Sequence, residues 1–96
     1  MRVLVVEDNQ INMKLTADLL ARSGYEVLKA FEAETALKIA REEMPDIVIM
    51  DMQLPGMDGL TATTILKTDE KTRHIKIIAV TAFAMKGDME RILNAG

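Results

Sequence analysis

The chain has 96 residues, 49% of them hydrophobic, which suits one soluble domain, although a chain of this length buries only about 60 to 65% of its unfolded surface. The formal net charge of -3 and the scattered lysines and arginines argue against a nucleic-acid-binding protein, which usually carries a basic face. With no cysteine, the chain has neither a disulfide framework nor a thiolate metal site. The N-terminal apolar run VLVV is too short for a signal peptide or a membrane span. We therefore expect a cytoplasmic domain that binds neither nucleic acid nor membrane.

Short apolar segments alternate with segments of helical periodicity along the chain. The predicted strands are 2–7, 25–30, 46–50 and 75–80, and the predicted helices are 11–24, 33–44, 59–68 and a last one from about residue 85. In the first helix one apolar stripe is flanked by a second group of apolar residues. The stripe contains Ile11, Leu15 and Leu19, and the flanking group contains Met13, Ala17 and Leu20.

The ends of the first two helices have recognisable signals. Asn9 can cap the first helix and Gly24 can end it. Pro45 stops the second helix, whose apolar positions recur at helical spacing. These apolar positions are Ala33, Ala36, Leu37, Ala40 and Met44.

Strands that alternate with helices predict a parallel sheet with helices on both faces. The first, third and fourth predicted strands are continuous apolar runs, typical of interior strands, whereas the second alternates apolar and charged residues as an edge strand does. If the fourth strand is interior, a further strand must lie beyond it, yet the sequence ends after the fourth helix. We therefore expect a fifth strand and helix to be absent from this chain, and the open edge at the fourth strand to promote self-association.

Polar side chains follow the carboxyl ends of three predicted strands, which meet at one edge of a parallel sheet. They are Glu7 and Asp8 after the first strand, Asp51 after the third and Thr81 after the fourth. Like charges about 4 Å apart repel by about 4 kcal/mol at an effective dielectric near 20, so such a cluster raises carboxyl pKa values or attracts a cation. Each residue alone could simply serve a helix cap or a turn.

The cation that suits an all-oxygen cluster is Mg²⁺, since the chain has no cysteine and one histidine. Magnesium beside an aspartate suggests phosphoryl chemistry in which the carboxylate attacks the phosphorus and carries an acyl phosphate. The third strand would then present Asp51 as a nucleophile.

Three segments, VLVVEDN, PDIVIMDMQLPGMDG and IIAVTAFAMKGD, resemble in order and spacing the receiver domain of two-component response regulators. The likeness is greatest to single-domain cell-cycle receivers and to receivers attached to hybrid histidine kinases. It covers residues 1–96 and implies a flavodoxin-like, doubly wound α/β domain with strand order 2-1-3-4, incomplete at its C-terminus. It also implies a cytoplasmic phosphorelay protein that is not an enzyme.

The resemblance assigns roles by position. Asp51 matches the phospho-acceptor, Asp8 the direct Mg²⁺ ligand, and Glu7 the acid that holds a metal-bound water. The backbone carbonyl of Gln53 matches the third protein ligand, and the Thr81 hydroxyl matches the group that approaches the phosphoryl oxygen on activation.

Two further positions complete the implied site, and one group is missing. The backbone N–H of Ala82 matches a phosphoryl contact, and Gln53 and Phe83 match the positions that tune the lifetime of the phosphate. Receivers usually have a lysine after the fifth strand that pairs with the phosphoryl group, and Lys86 does not match it. The implied partners are a histidine kinase or histidine phosphotransfer protein as donor and a downstream protein.

Two other functions remain open at this point. One is a docking or assembly module that does not switch, which the expected absence of the fifth strand favours. The other is a phosphatase with an aspartyl nucleophile, a class that usually has a second aspartate two residues after the first. Here Gln53 follows Asp51 and Gln10 follows Asp8 at that spacing, which argues against the phosphatase.

Overall fold

Strands and helices alternate through residues 1–51 and 59–80, the parts of the chain that the computed structural model describes. The elements are β1 (Arg2–Val6), α1 (Gln10–Arg22), β2 (Glu26–Ala30), α2 (Ala33–Glu43), β3 (Ile47–Asp51), α3 (Gly59–Thr68) and β4 (Lys76–Val80). Each begins and ends within two residues of its predicted bounds. None of these helices combines the length and the apolar character that crossing a bilayer requires.

The four strands form one parallel sheet in the order β2-β1-β3-β4, which confirms the predicted order. β1 and β3 lie side by side at its centre and are almost wholly buried, as expected for continuous apolar runs. β2 lies at one edge, where Glu26 and Lys29 are exposed. Among the described residues β4 pairs with β3 alone. The predicted fourth helix and the expected gap beyond β4 lie outside the described residues, so self-association there stays a prediction.

Helix α1 covers one face of the sheet, but with a different side from the stripe singled out in the sequence. Its buried residues are Met13, Thr16, Ala17 and Leu20, and of these Met13 and Leu20 pack with apolar residues of β1 and β3. Ile11 is 71% exposed and Leu15 43% exposed, so the start of the predicted stripe faces solvent. The flanking group, which includes Met13, forms the core contact instead.

Helices α2 and α3 cover the opposite face, so helices lie on both faces of the sheet, as predicted. The buried side chains of Ala33, Ala36 and Ala40 on α2 and of Leu66 on α3 belong to one apolar cluster with residues of β1 and β3. Met44 departs from the prediction because it is not part of the helical face. It is the C-terminal cap of α2, 40% exposed, with left-handed φ and ψ of 48° and 60°.

The ends of α1 form as the sequence predicts. The Asn9 side-chain oxygen accepts hydrogen bonds from the backbone N–H groups of Ile11 and Asn12 at 2.9 and 3.0 Å. At the other end Gly24, with φ of 93°, and Tyr25 donate to the carbonyls of Ala21 and Leu20, the pattern of a Schellman motif. The helix therefore starts directly after the segment that follows β1.

The register of the two central strands is fixed at their N-terminal ends by a pair of residues. The backbone N–H of Arg2 donates to the Asp46 carboxylate at 2.8 Å, and the backbone N–H of Asp46 donates to the Arg2 carbonyl at 2.9 Å. The Arg2 guanidinium also contacts Glu26, which begins β2, and Glu43, which ends α2. These contacts, the Arg2 network, link β1 to both neighbouring strands at the N-terminal end of the sheet, opposite the end with the acidic residues.

Candidate functional site

The two central strands bring the predicted acidic residues together. Glu7 and Asp8 follow β1 directly, and Asp51 is the last residue of β3. Because Val6 lies opposite Met50 in the parallel pairing, the chain positions that follow, Glu7 and Asp51, are also adjacent. The backbone N–H of Glu7 donates to the carbonyl of Ala30 on β2 at 3.0 Å, which extends the ladder past the last residue of β1.

The carboxylates of Glu7, Asp8 and Asp51 form a cluster, the acidic triad. One oxygen from each residue lies within 4.8 Å of the others. Glu7 and Asp51 are only 8% and 7% exposed, whereas Asp8 is exposed and opens the cluster to solvent. The backbone N–H of Asp8 donates to Glu7 Oε2 at 3.1 Å.

The surroundings of the triad raise the pKa of one member, Glu7. Burial is the largest cause that raises the pKa of Glu7 to about 7, followed by a hydrogen bond to Asp51 and by the charges of Asp51 and Asp8. Two full charges 4.8 Å apart repel by about 3.5 kcal/mol at an effective dielectric near 20. Near neutral pH the metal-free triad therefore holds a proton on Glu7 for much of the time, and that proton bridges Glu7 and Asp51.

One residue of this site was missed by the sequence reasoning. The Asn12 side chain forms a hydrogen bond with the Glu7 carboxylate, which lowers the pKa of Glu7 and so opposes the effects above. Asn12 is the third residue of α1, where side chains point back toward the N-terminus of a helix. Its place in the first turn of α1, three residues after the Asn9 cap, was the available signal, but no role was predicted for Asn12.

The triad suits a hard divalent cation. All of its ligand atoms are carboxylate oxygens. Glu7 and Asp51 are buried and Asp8 is open to solvent, so an ion bound there could keep several of its waters. A dication also removes the repulsion that raises the pKa of Glu7. The other predicted site residues, Gln53, Thr81, Ala82 and Phe83, lie outside the described residues, although β4 ends at Val80 directly opposite Asp51.

Comparison with known proteins agrees with this fold and site. Residues 3–96 match the family described as the response regulator receiver domain. The polar-differentiation response regulator DivK of Brucella ovis is 55% identical over 94 residues, which are 98% of this chain and 76% of that protein.

Two solved structures show the same architecture. The receiver domain of the sensor histidine kinase PA1611 from Pseudomonas aeruginosa PAO1, with a magnesium ion coordinated in its active site cleft, is 37% identical with a TM-score of 0.81, over 99% of this chain and 78% of that one. The N-terminal domain of a response regulator receiver protein from Methanoculleus marisnigri JR1 is 29% identical with a TM-score of 0.83, over 98% of this chain and 76% of that one.

The family match extends over nearly the whole chain, and the acidic triad lies where a receiver has its phosphorylation site. The resemblance read from the sequence is thereby confirmed, and it points to two-component signalling rather than to an enzyme family. The chain belongs to the response regulator receiver domain family.

Proposed function

We propose that this chain is a phospho-accepting receiver in which Asp51 takes a phosphoryl group from a phosphohistidine. The observation that carries the proposal is the position of Asp51 at the carboxyl end of a buried central strand, with Glu7 and Asp8 within 4.8 Å. A strand paired on both sides holds its last residue rigidly, which suits a nucleophile that must meet phosphorus along a defined line.

The triad is also the proposed metal site. Asp8 and Asp51 are proposed as direct ligands, with the Gln53 carbonyl as a third, and Glu7 as the acid that holds a metal-bound water. A Mg²⁺ ion bound there would neutralise charge on the carboxylates and on the phosphoryl oxygens, which lets one anion approach another.

The proposed transfer uses Asp51 as the attacking group. A carboxylate oxygen of Asp51 forms a bond to phosphorus while the bond between phosphorus and the donor imidazole nitrogen breaks. The imidazole leaves with the bonding electron pair and takes up a proton from solvent. The Thr81 hydroxyl and the Ala82 backbone N–H are proposed to bind the transferred phosphoryl oxygens.

The donor in this proposal is a histidine kinase or a histidine phosphotransfer protein, because phosphohistidine is a high-energy donor that a carboxylate can attack. The acidic triad supports a phosphorylated donor of this kind. Its carboxylates would repel an anionic phosphoryl group unless a metal ion were bound between them, and the triad is the proposed metal site. The phosphorylated chain would present a changed surface to a downstream protein partner.

The test is phosphorylation by a small donor. The protein is incubated with Mg²⁺ and acetyl phosphate or phosphoramidate, and its intact mass is measured. We expect one phosphoryl group that is stable in acid and labile in base, and we expect Asp51→Asn and omission of Mg²⁺ each to abolish it.

A matched control is Asp18→Asn, which removes an exposed aspartate from α1 without touching the triad. This variant should be phosphorylated like the wild type. A folded wild-type protein that gains no mass with any phosphodonor would contradict the proposal and favour a docking module that does not switch. Turnover of a phosphomonoester would favour the phosphatase.

A further inference from the structure

The side of α1 that faces away from the sheet carries apolar side chains in contact with solvent. Ile11 is 71% exposed and Leu15, one helical turn later, is 43% exposed. Leu19, a further turn along, is half-buried at the margin of the core. Single exposed apolar residues are common on protein surfaces, but a row of them along a helix is typical of a surface that contacts another protein.

Charged side chains lie beside this apolar row. Lys14, Asp18 and Arg22 are exposed, and at 100° per residue they share an arc of about 100° with Ile11 and Leu15. We call these five residues the outer face of α1. Within the described residues, Lys14 and Asp18 form no ion pair. The outer face therefore offers charges of both signs next to apolar contact area.

The order of the charges makes the outer face complementary to a second copy of itself. When a two-fold axis relates two antiparallel helices, each flank of one helix lies against the same flank of the other. An axis near residue 16 is halfway between Lys14 and Asp18, so Lys14 of each copy faces Asp18 of the other. The same axis brings Leu15 close to its own copy. A parallel pair would instead place Lys14 against Lys14.

We propose that two copies of this chain associate through the outer faces of α1, with the helices antiparallel about a two-fold axis near residue 16. In this arrangement Arg22 of one copy lies beside the segment before α1 of the other, where Asp8 is exposed. α1 has 13 residues and is about 20 Å long. One helix face of that length buries less than the roughly 800 Å² per partner of a standard interface. The dimer is therefore weak, with a Kd of about 0.1 mM, and forms where the local concentration of the chain is high.

The test is sedimentation equilibrium at low ionic strength, with charge-reversed variants measured alone and mixed. Lys14→Asp leaves two negative charges at positions 14 and 18, and Asp18→Lys leaves two positive charges there. We expect each variant alone to associate about tenfold more weakly than the wild type, because like charges then face each other. An equimolar mixture of the two should recover the lost association, because a negative flank then meets a positive one.

Helix α2 offers a matched control on the opposite face of the sheet. Glu34 and Lys38 are exposed and have the same spacing of four residues as Lys14 and Asp18. Glu34→Lys and Lys38→Asp should each associate like the wild type, and mixing them should change nothing. Far-UV circular dichroism checks that all four variants fold, as expected for substitutions of exposed residues. Dilute protein is monomeric in this proposal, so Asp18→Asn keeps its use as a control for phosphorylation.

Three outcomes would contradict the inference. A wild type that stays monomeric up to about 1 mM overturns it, and the outer face is then left for a different protein. Association that ignores both charge reversals also overturns it and points to another surface, such as the β4 edge. If each reversal weakens association but the mixture does not recover it, the antiparallel pairing of Lys14 with Asp18 is wrong.

Discussion

The ionisation of Glu7 should destabilise the metal-free protein, and Glu7→Gln isolates this effect. Glu7 is 8% exposed and lies against Asp51 and Asp8, and burial with these neighbours raises its pKa from 4.5 to about 7. A glutamine keeps the size of the side chain but cannot ionise. The variant should therefore have a higher free energy of unfolding than the wild type at pH values above the ordinary pKa of a glutamate.

The sign and size follow from proton linkage. A carboxyl that binds its proton more tightly in the folded state does not lower the free energy of unfolding below pH 4.5, because it is protonated in both the folded and the unfolded state there. Between pH 4.5 and about 7 its destabilising effect grows, and above that it is complete. A difference of about 2.5 pH units at 1.36 kcal/mol each gives an upper limit of about 3.4 kcal/mol, which solvent screening near Asp8 reduces to about 1–3 kcal/mol.

The assay is urea denaturation followed by far-UV circular dichroism, with a chelator present, at pH 4.5, 6 and 8. We expect Glu7→Gln to exceed the wild type by about 1–3 kcal/mol at pH 8 and to match it within about 0.5 kcal/mol at pH 4.5. If Mg²⁺ binds the acidic triad as proposed, excess Mg²⁺ at pH 8 should stabilise the wild type, because a ligand that binds only the folded state raises the free energy of unfolding.

Glu70→Gln, which removes an exposed carboxylate in the turn after α3, is the matched control and should show no such trend. The reasoning would be refuted by a Glu7→Gln difference that is the same at every pH. It would equally be refuted by a wild type that is more stable than the variant at pH 8 without metal.

Three further substitutions test the scaffold by urea denaturation. Met44→Gly should stabilise the protein by about 0.5–1 kcal/mol, because Met44 is left-handed with φ of 48°; a loss would mean that its packing outweighs the strain. Thr72→Val should cost about 1–3 kcal/mol, because Thr72 is wholly buried and its hydroxyl donates to the Leu66 carbonyl at 2.7 Å, while the exposed Thr35→Val should be near neutral. Asn9→Ala should cost about 1 kcal/mol through loss of the α1 cap, and an unchanged urea midpoint would count against that cap.

The sequence predicted the fold well because its strands and helix ends have strong local signals. Unbroken apolar runs identify β1 and β3 as central strands, and the alternation in β2 identifies an edge. Asn9 and Gly24 lie at the two ends of α1, where an asparagine commonly caps a helix start and a glycine commonly ends a helix. The acids were predictable for a related reason, since parallel strands bring their carboxyl ends to one edge whatever the loops do.

The wrong predictions concern which side of a helix packs on the sheet and where a helix ends, and the spacing of apolar residues does not determine either. Ile11 and Leu15 are as apolar as Leu20, and only the packing of α1 on the sheet decides that Leu20 is buried and the other two are not. Met44 continues the helical spacing, but Pro45 disfavours helical backbone in the residue before it. The contact between Asn12 and Glu7 depends on the angle at which α1 leaves β1, which no spacing encodes.

The Arg2 network has a consequence for the far end of the sheet. Successive side chains of a strand point to opposite faces of the sheet. Sliding β3 by one residue along β1 would therefore turn the Asp51 side chain toward the opposite face. The paired bonds between Arg2 and Asp46 oppose such sliding from about 15 Å away. The meeting of Glu7 and Asp51 at one end of the sheet is thus partly decided by an arginine and an aspartate at the other end.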